Sequence, residues 1–331
     1  MCLDKLLVLF YGLILECLYA ILLKIKPYRI FILCFGTAIL VKKICREPMK
    51  LYAYAKINLG LYILGKRPDE YHDIETVFHE VDLYDEITVT HAETDRFECS
   101  MENIPTGEGN LCIHALRLLR AEQKIERGVH IALAKNIPIG AGLGGGSSDA
   151  AATLVALDKL WNLKLSRDVL CGYAAKIGSD VPFFIRGGSA YARGRGEILE
   201  SLRLEIPFWI VLVTPPVHVS TAWAYRHLKV RRNGIPTGIR TELPHALKNP
   251  VLLSQAVQND FEEIVFAQYP VIRDIKFALL HAGASFALMS GSGSSIFGLY
   301  DNEAAARLAV SNFPGDHTVS ITAPFFNARN D

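Results

Sequence analysis

A glycine-rich run in the middle of the chain limits the possible folds and functions more than any other stretch. It extends from Pro138 to Asp149 and reads Pro-Ile-Gly-Ala-Gly-Leu-Gly-Gly-Gly-Ser-Ser-Asp. The stretch 150–161 that follows is rich in alanine and leucine, with apolar residues at helical spacing, and predicts a helix. We expect Ser147 and Ser148 to cap the first turn of this helix.

A helix that starts on such a loop is suited to binding a phosphate chain. Glycines let the backbone approach a bulky anion, and the unpaired N–H groups of a helix N-terminus carry a partial positive charge. A flexible turn before a packed helix is the alternative interpretation. Five glycines and two serines within eleven residues are more than such a turn requires, so we expect a phosphate site.

The better-known nucleotide-binding motifs fit this run less well. Gly140, Gly142 and Gly145 match the spacing of the dinucleotide fingerprint, but that motif also needs an acidic residue about 20 positions later, after the next strand. Asp158 falls inside the predicted helix and cannot serve. No Gly-Lys-Ser/Thr follows, and the His-Arg-Asp and Asp-Phe-Gly signatures of protein kinases are missing. The run therefore indicates a triphosphate cradle of another kind.

Composition excludes several other classes of protein. The chain has 331 residues, half of them hydrophobic, and this suits two globular domains. Its formal net charge of +1 gives no global argument for nucleic acid or for an anionic membrane surface. The seven cysteines lack the spacing of a zinc site and fit a reducing compartment, so we expect a cytoplasmic protein.

The first 48 residues differ in character from the rest of the chain. Leu6 to Leu23 is almost wholly apolar and long enough for a marginal membrane helix, whereas the apolar run from Ile30 to Val41 is too short unless tilted or interfacial. This extension is either a membrane anchor or upstream sequence absent from a functional protein that begins at Met49. We favour the second hypothesis, because the remainder reads as complete.

Candidate functional residues lie on one strand and in two loops. Lys56 and Asn58 fall two apart in the predicted strand 51–64 and share a face, where they need polar partners unless that face is solvated. Tyr71 and His72 form a plausible base-recognition pair in a loop, although loop aromatics often only cap a core. Asp180, just after a predicted helix, is either a turn former or an acid that faces a cleft.

The remaining patterns predict an α+β fold. Strands are expected at 74–83, 87–91, 129–135, 206–214, 285–289, 295–300 and 317–322, with two short ones around Tyr191. Helices are expected at 110–124, 150–161, 166–178, 221–228, 252–267, 270–281 and 303–313, with 229–250 as a surface loop.

Three motifs in this order resemble the GHMP kinase superfamily: Ala55 to Leu59, Pro138 to Ala151 and Met289 to Ser295. The resemblance implies an α+β, two-domain fold. Its ATP-binding N-terminal domain, of the ribosomal protein S5 domain 2-like type, would span 49–205, and a ferredoxin-like C-terminal domain 206–331. Residues 1–48 lie outside the resemblance.

The loop from Gly65 to His72 and the segment from Gly178 to Phe184 are most similar to one branch of this superfamily. Its members act in the non-mevalonate pathway of isopentenyl diphosphate biosynthesis. The similarity implies ATP-dependent phosphorylation of the 2-hydroxyl of 4-diphosphocytidyl-2-C-methyl-D-erythritol, giving the 2-phosphate and ADP.

The same resemblance implies roles for individual residues. Asp180 would be the catalytic base and Lys56 its cationic partner. Mg²⁺ would bridge the ATP phosphates, with its protein ligand left open among Ser147, Ser148 and Asp180. The implied ATP-binding residues are Asn110, Pro138, Gly140, Gly142, Leu143, Gly144, Gly145, Gly146, Ser147 and Ser148. The implied substrate-binding residues are Asn58, Tyr71, His72, Phe78 and Tyr225, with the two tyrosines stacking on cytosine.

Two alternatives remain open. Another GHMP small-molecule kinase would act on mevalonate, homoserine or a sugar, but those substrates offer no base to Tyr71 and His72. A non-catalytic nucleotide-binding module would bind ATP without turnover. The expected partner is a small molecule with a cytidine diphosphate group and not a nucleic acid, and the protein is expected to be a monomer or homodimer. Membrane contact is expected only if residues 1–48 are retained.

Overall fold

The computed structural model describes residues 30–35, 38–43, 48–102, 104–230, 232, 234–313 and 315–328. The chain divides into two compact units, Met1–Glu47 and Pro48–Asp331.

In the first unit, strands β1 (Ile30–Phe35) and β2 (Ala38–Lys43) pair antiparallel, with Ile30 opposite Lys43. The second apolar run of the sequence thus falls largely on this strand pair. The first apolar run, Leu6 to Leu23, lies outside the described residues. Among the helices that the structure describes, none combines the length and the apolar character needed to span a bilayer.

The second unit begins with a six-stranded sheet in which one long strand contacts three others. The strands are β3 (Met49–Lys66), β4 (His72–Ala92), β5 (Arg96–Cys99), β6 (Gly128–Ala134), β7 (Ser189–Gly194) and β8 (Ile198–Leu202). Along one edge β4 pairs with β3, and along the other it pairs first with β7 and then with β6. All neighbours are antiparallel except β5 and β6.

The sequence predicted two strands where β4 is one, so this prediction is wrong at 84–86. The strand continues through Asp85, whose backbone lies opposite Ala53 next to a register shift at Tyr54/Ala55. Asp85 is fully buried among polar partners that lie far away in the sequence. Residues 84–86 therefore do not end the strand, because the Asp85 side chain has these buried polar partners.

Four helices accompany this sheet: α1 (Leu111–Gln123), α2 (Gly145–Trp161), α3 (Arg167–Ile177) and α4 (Val181–Arg186). Residues of all four pack with one face of the sheet in an apolar core that includes Leu119, Leu154 and Ile131. Ser166 caps the start of α3 and Gly178 its end, as predicted. Helix α4 was not foreseen, and it places Asp180 directly before its first residue.

A second, antiparallel sheet has the order β10-β11-β9-β12. Its strands are β9 (Trp209–Thr214), β10 (Phe286–Met289), β11 (Ile296–Tyr300) and β12 (Thr318–Thr322). Its helices are α5 (Thr221–His227), α6 (Ile239–Ala246), α7 (Pro250–Ala256), α8 (Glu262–Gln268), α9 (Pro270–His281) and α10 (Glu303–Val310). This arrangement of two sheets with helices confirms the predicted α+β fold.

The alternation of β9 shows how the two sheets are joined. Ile210 and Leu212 share a core with Ile57 and Val77 of the first sheet, whereas Val211 and Val213 pack into the core formed with helices α8, α9 and α10. Successive side chains of a strand point to opposite faces. One face of the second sheet therefore closes the main core, and the other packs against helices α8, α9 and α10.

Two regions of the second half differ from the sequence prediction. The expected loop 229–250 contains α6, because Ile239 and Leu243 are buried in the main core. The expected helix 252–267 is broken between α7 and α8. The Asn259 side chain at this break donates hydrogen bonds of 2.8 Å to the carbonyls of Met289 and Gly291.

Candidate active site

A cleft of about 1120 Å³ brings together nearly all the residues that the sequence singled out. The predicted residues that line it are Lys56, Asn58, Tyr71, His72, Phe78, Asn110, Pro138, Gly140, Gly142, Leu143, Gly144, Gly145, Gly146, Ser147, Asp180 and Tyr225. Ser148 does not line it, since its side chain is buried and its hydroxyl donates a 2.7 Å hydrogen bond to the Tyr54 carbonyl.

The glycine-rich loop leads into the N-terminus of α2 without a side-chain cap. The residue before the helix is Gly144, in the left-handed region with φ +70°, so the prediction that Ser147 and Ser148 cap the helix is wrong. The Ser148 amide bonds the Gly144 carbonyl at 2.9 Å. The N–H groups of the preceding turn, at Gly145, Gly146 and Ser147, have no intrahelical partner. These N–H groups can therefore bind an anion in the cleft.

The second glycine-rich run, Met289 to Ser295, supports the first from behind. The Ser295 amide donates to the Ala141 carbonyl at 3.2 Å, and the Ser290 hydroxyl donates to the Gly142 carbonyl at 3.0 Å. A Cβ at Gly142 would lie 2.1 Å from the Ser290 carbonyl oxygen. Only glycine fits there, so the two runs interlock.

Lys56 is buried at the base of the cleft, with 4% of its surface exposed. Its ammonium donates to Asn58 Oδ1 at 2.6 Å and to the Gly142 carbonyl at 3.1 Å, and it lies 4.9 Å from the centre of the Phe78 ring. Asn58 is fixed in turn by donating to Thr76 Oγ1 at 2.8 Å. The polar partners that the sequence required for Lys56 and Asn58 are thus each other and the glycine loop.

Burial lowers the pKa of Lys56, and the negative charge of Asp180 opposes that shift. Asp180 stands before the first turn of α4, and its side chain does not cap that helix. Its carboxylate makes no hydrogen bond with any residue that the structure describes, and a Cβ at Gly196 would lie 3.4 Å from its Oδ1. A carboxylate free to accept a proton therefore lies in the field of a buried ammonium.

Aromatic side chains form the other end of the cleft. The Tyr71 side chain is exposed at 56%, with the Arg195 guanidinium 4.8 Å from its ring centre. The rings of His72 and Tyr225 are stacked, with centroids 4.9 Å apart, and Phe261 meets Tyr225 edge-on. Partial burial, together with the charge of Lys66, lowers the pKa of His72 and favours its neutral form. A neutral, stacked imidazole beside an exposed ring is suited to recognising a nucleobase.

Asn110 is both a helix cap and part of the cleft wall. Its side-chain oxygen accepts a hydrogen bond from the Cys112 amide at 2.8 Å, and its nitrogen donates to the Pro105 carbonyl at 2.9 Å. The side chain therefore fixes the start of α1 and the preceding loop beside the cleft.

A buried ionic cluster beside the glycine loop was missed from the sequence. The Lys135 ammonium bonds both Asp85 and Asp149, the latter at 2.8 Å. Asp85 also accepts hydrogen bonds from the Asn136 and Ile137 amides. Burial acts to lower the pKa of Lys135, but the two carboxylates outweigh burial and raise that pKa. Burial raises the pKa of Asp149 to about 8. No local pattern signals this cluster, because its members come from three separate elements.

The described part of the chain contains no group of three or more His, Cys, Asp and Glu side chains arranged to hold a metal ion. The oxygen-bearing side chains that line the cleft beside the glycine loop include Ser147, Ser179, Asp180 and Asp149, the last of which is bonded to Lys135. Any metal ion at this site would therefore need most of its ligands from a bound molecule.

Comparisons with known proteins agree with this geometry. Family models for the "GHMP kinases N terminal domain" and "GHMP kinases C terminal" match residues 110–188 and 240–316. A 4-diphosphocytidyl-2-C-methyl-D-erythritol kinase of Prosthecochloris aestuarii is 45% identical over 284 residues, which cover 85% of this chain and 99% of the relative.

Two solved structures are similar to the chain. A 4-(cytidine 5'-diphospho)-2C-methyl-D-erythritol kinase superposes with a TM-score of 0.71 at 33% identity, covering 83% of this chain and 98% of that one. A homoserine kinase from Cytophaga hutchinsonii superposes with a TM-score of 0.69 at 20% identity, covering 89% and 98%, and shows the fold alone. With its glycine loop, buried lysine and two-sheet fold, the chain belongs to the GHMP kinase family.

Proposed function

We propose that this protein is a 4-diphosphocytidyl-2-C-methyl-D-erythritol kinase. It transfers the γ-phosphoryl group of ATP to the 2-hydroxyl of that substrate, and the products are the 2-phosphate and ADP. The reaction belongs to the non-mevalonate route to isopentenyl diphosphate. One observation carries the proposal: a single cleft contains an uncapped helix N-terminus, a lysine–aspartate pair and a cluster of exposed and stacked aromatic rings.

The ATP phosphates bind to the N–H groups of the first turn of α2. The amides of Gly145, Gly146 and Ser147 point at the anion, and the dipole of the 17-residue helix adds to their attraction. The Gly142 carbonyl is held by Lys56 and Ser290, so the loop keeps this shape before the nucleotide binds.

Asp180 accepts the proton of the substrate hydroxyl. As the hydroxyl oxygen bonds to the γ-phosphorus, the bond between that phosphorus and the β,γ-bridging oxygen breaks, and ADP leaves with the electron pair. Phosphoryl transfer depends mainly on positioning and charge stabilisation. The Lys56 ammonium, held by Asn58, lies in the field of Asp180 and stabilises the negative charge on the transferred group.

A Mg²⁺ ion bound with the nucleotide would be held in part by Ser147 and Asp180 and would neutralise charge on the phosphates. The oxygens of Ser147 and Asp180 face the cleft and suit a hard cation that takes its other ligands from phosphate and water. Ser148 is a poorer ligand, since its hydroxyl is buried against the Tyr54 carbonyl.

The aromatic end of the cleft binds cytosine. Tyr71 offers an exposed face for stacking, and the neutral His72 offers a ring nitrogen to the edge of the base. Tyr225 supports His72 and closes the pocket from the other side. Mevalonate, homoserine and sugars have no group that needs these rings.

The test is an assay of the full chain with ATP, Mg²⁺ and 4-diphosphocytidyl-2-C-methyl-D-erythritol, in which ADP release and the ³¹P NMR spectrum of the product are followed. We expect one ADP for each new phosphomonoester. Turnover of mevalonate or homoserine in its place would identify a sibling kinase. ATP binding without any turnover would identify a non-catalytic module.

A further inference from the structure

The hairpin turn between β7 and β8 carries an arginine that the catalytic scheme above does not use. Arg195 stands between Gly194 and Gly196, which have φ values of +70° and +104°, and the Gly196 amide closes the turn on the Arg193 carbonyl at 3.2 Å. Both glycines occupy the left-handed region that other residues rarely adopt. The tight turn that they allow fixes the position of Arg195.

This turn touches both ends of the substrate site. The Arg195 guanidinium lies over the ring of Tyr71, at 4.8 Å from its centre. The adjacent Gly196 approaches the Asp180 carboxylate, because a Cβ there would lie 3.4 Å from Oδ1. Arg195 thus lies between the ring proposed to stack on cytosine and the acid proposed to accept the hydroxyl proton.

The Arg195 guanidinium has N–H donors that are not hydrogen-bonded to the described residues. It forms a loose ion pair with Glu197, in which Nε and Oε1 are 3.7 Å apart, and the other Glu197 oxygen is held by the Arg195 backbone amide at 2.5 Å. Asp69 also lies within the field of Arg195. The guanidinium forms no hydrogen bond with any residue in the described part of the chain. It lines the cleft with 38% of its side chain exposed.

The other acids of the cleft are already matched by lysines. Glu70 is paired with Lys66 at 2.5 Å, and Asp149 is paired with Lys135. Asp180 lies in the field of Lys56. Arg195 therefore adds a positive charge to the cleft that no acid of its wall neutralises at hydrogen-bonding distance, among the residues described.

We propose that Arg195 binds the diphosphate of the cytidine-containing substrate, an inference that rests on the function proposed above. In that substrate the diphosphate joins the cytidine to the alcohol that is phosphorylated, so it must cross the space between Tyr71 and Asp180. A guanidinium presents a planar fork of N–H donors that matches two phosphate oxygens at once. Arg195 thereby fixes the distance from the base pocket to the reacting hydroxyl.

The experiment compares cytidine 5'-diphosphate with cytidine as ligands of the full chain by isothermal titration calorimetry. The variants are Arg195→Gln, Arg195→Lys and, as a matched control, Arg193→Gln. Arg193 is an exposed arginine of the same hairpin that does not line the cleft. The ratio of the two affinities is the readout, because any change in the stacking on Tyr71 affects both ligands.

We expect Arg195→Gln to reduce the preference for the diphosphate about 10- to 100-fold, as for the loss of charge-assisted hydrogen bonds. Arg195→Lys keeps the charge without the fork and should fall between, while Arg193→Gln should match the wild type. In turnover, Arg195→Gln should raise KM for the cytidylylated substrate and leave KM for ATP unchanged.

Two results would overturn the assignment, and they are distinguishable. If the wild type phosphorylates the cytidylylated substrate but Arg195→Gln keeps the wild-type affinity ratio, the diphosphate lies elsewhere and only the role of Arg195 is wrong. If the wild type itself makes no ADP from this substrate, the proposed function fails and the Arg195 assignment fails with it.

Discussion

Replacing Asp180 with asparagine removes the proposed base with little change in shape. The carboxylate makes no hydrogen bond to the described protein, so the amide leaves no buried partner unsatisfied. The buried Lys56 ammonium loses the attraction of Asp180, so we expect the free energy of unfolding to fall by only about 1 kcal/mol. Proton transfer to a positioned base contributes about 10²- to 10⁴-fold to turnover, and kcat should fall by that factor, or about 3–5 kcal/mol in the barrier.

Two further effects of Asp180→Asn have a definite sign. In the absence of Mg²⁺, ATP should bind as tightly as to the wild type or more tightly, because a negative charge beside the γ-phosphate has been removed. The pKa of Lys56 should fall further, because Asp180 opposes the lowering caused by burial. The alkaline limb of any residual activity should therefore move to lower pH.

The measurements are ADP release with 4-diphosphocytidyl-2-C-methyl-D-erythritol, calorimetric titration with ATP, and thermal unfolding. Asp168→Asn is the matched control, because Asp168 is 89% exposed on α3 and, among the residues that the structure describes, pairs with Arg186 at 3.4 Å. It should leave all three quantities unchanged. If Asp180→Asn retains a tenth or more of the wild-type kcat, or loses ATP binding, Asp180 is not the base.

Three other predictions concern the base pocket, a buried histidine and the glycine loop. Tyr71→Ala should weaken binding of the cytidylylated substrate by about 1–3 kcal/mol, the contribution of one stacked base, and leave KM for ATP unchanged; an equal effect on both substrates would contradict the stacking role. Burial lowers the pKa of His79 from 6.5 to about 4, so its stabilising contribution is complete above pH 6.5 and is lost as the pH falls towards 4. Between pH 8 and pH 5 the wild type should lose about 2 kcal/mol more unfolding free energy than His79→Gln, measured by urea denaturation; equal losses would contradict it. Gly142→Ala should destabilise the protein by about 2 kcal/mol or more, since the new Cβ would meet the Ser290 carbonyl at a positive φ, whereas Gly146→Ala, whose nearest contact would be Leu111 at 3.8 Å, should not; thermal unfolding of both variants decides.

Local patterns in the sequence predicted the parts of this molecule that depend on neighbouring residues. The helix start at Asn110, the cap at Ser166 and the polar pair on β3 all follow from spacing of a few residues. The same holds for the loop from Gly140 to Ser147, because its glycines lie close together in the sequence. These features supplied most of the candidate site.

Features that depend on distant residues could not be predicted in this way. Helix α6 forms in a Pro- and Gly-containing segment because Ile239 and Leu243 find a place in the core between the sheets. Asp85 reads locally as a turn residue, yet it is buried by accepting hydrogen bonds from residues 50 positions away. In such cases tertiary contacts outweigh local propensity.

Two glycines of the loop, Gly142 and Gly146, are present for different reasons. Gly142 is required by what lies behind the loop, because the Ser290 carbonyl occupies the space of a side chain. Gly146 has open space around its Cβ position except for Leu111, so the fold does not demand glycine there. The phosphate site proposed in the cleft would explain this glycine, because a phosphate there would have to approach the backbone closely. On this proposal the run meets two constraints, one from the second glycine-rich run and one from the nucleotide.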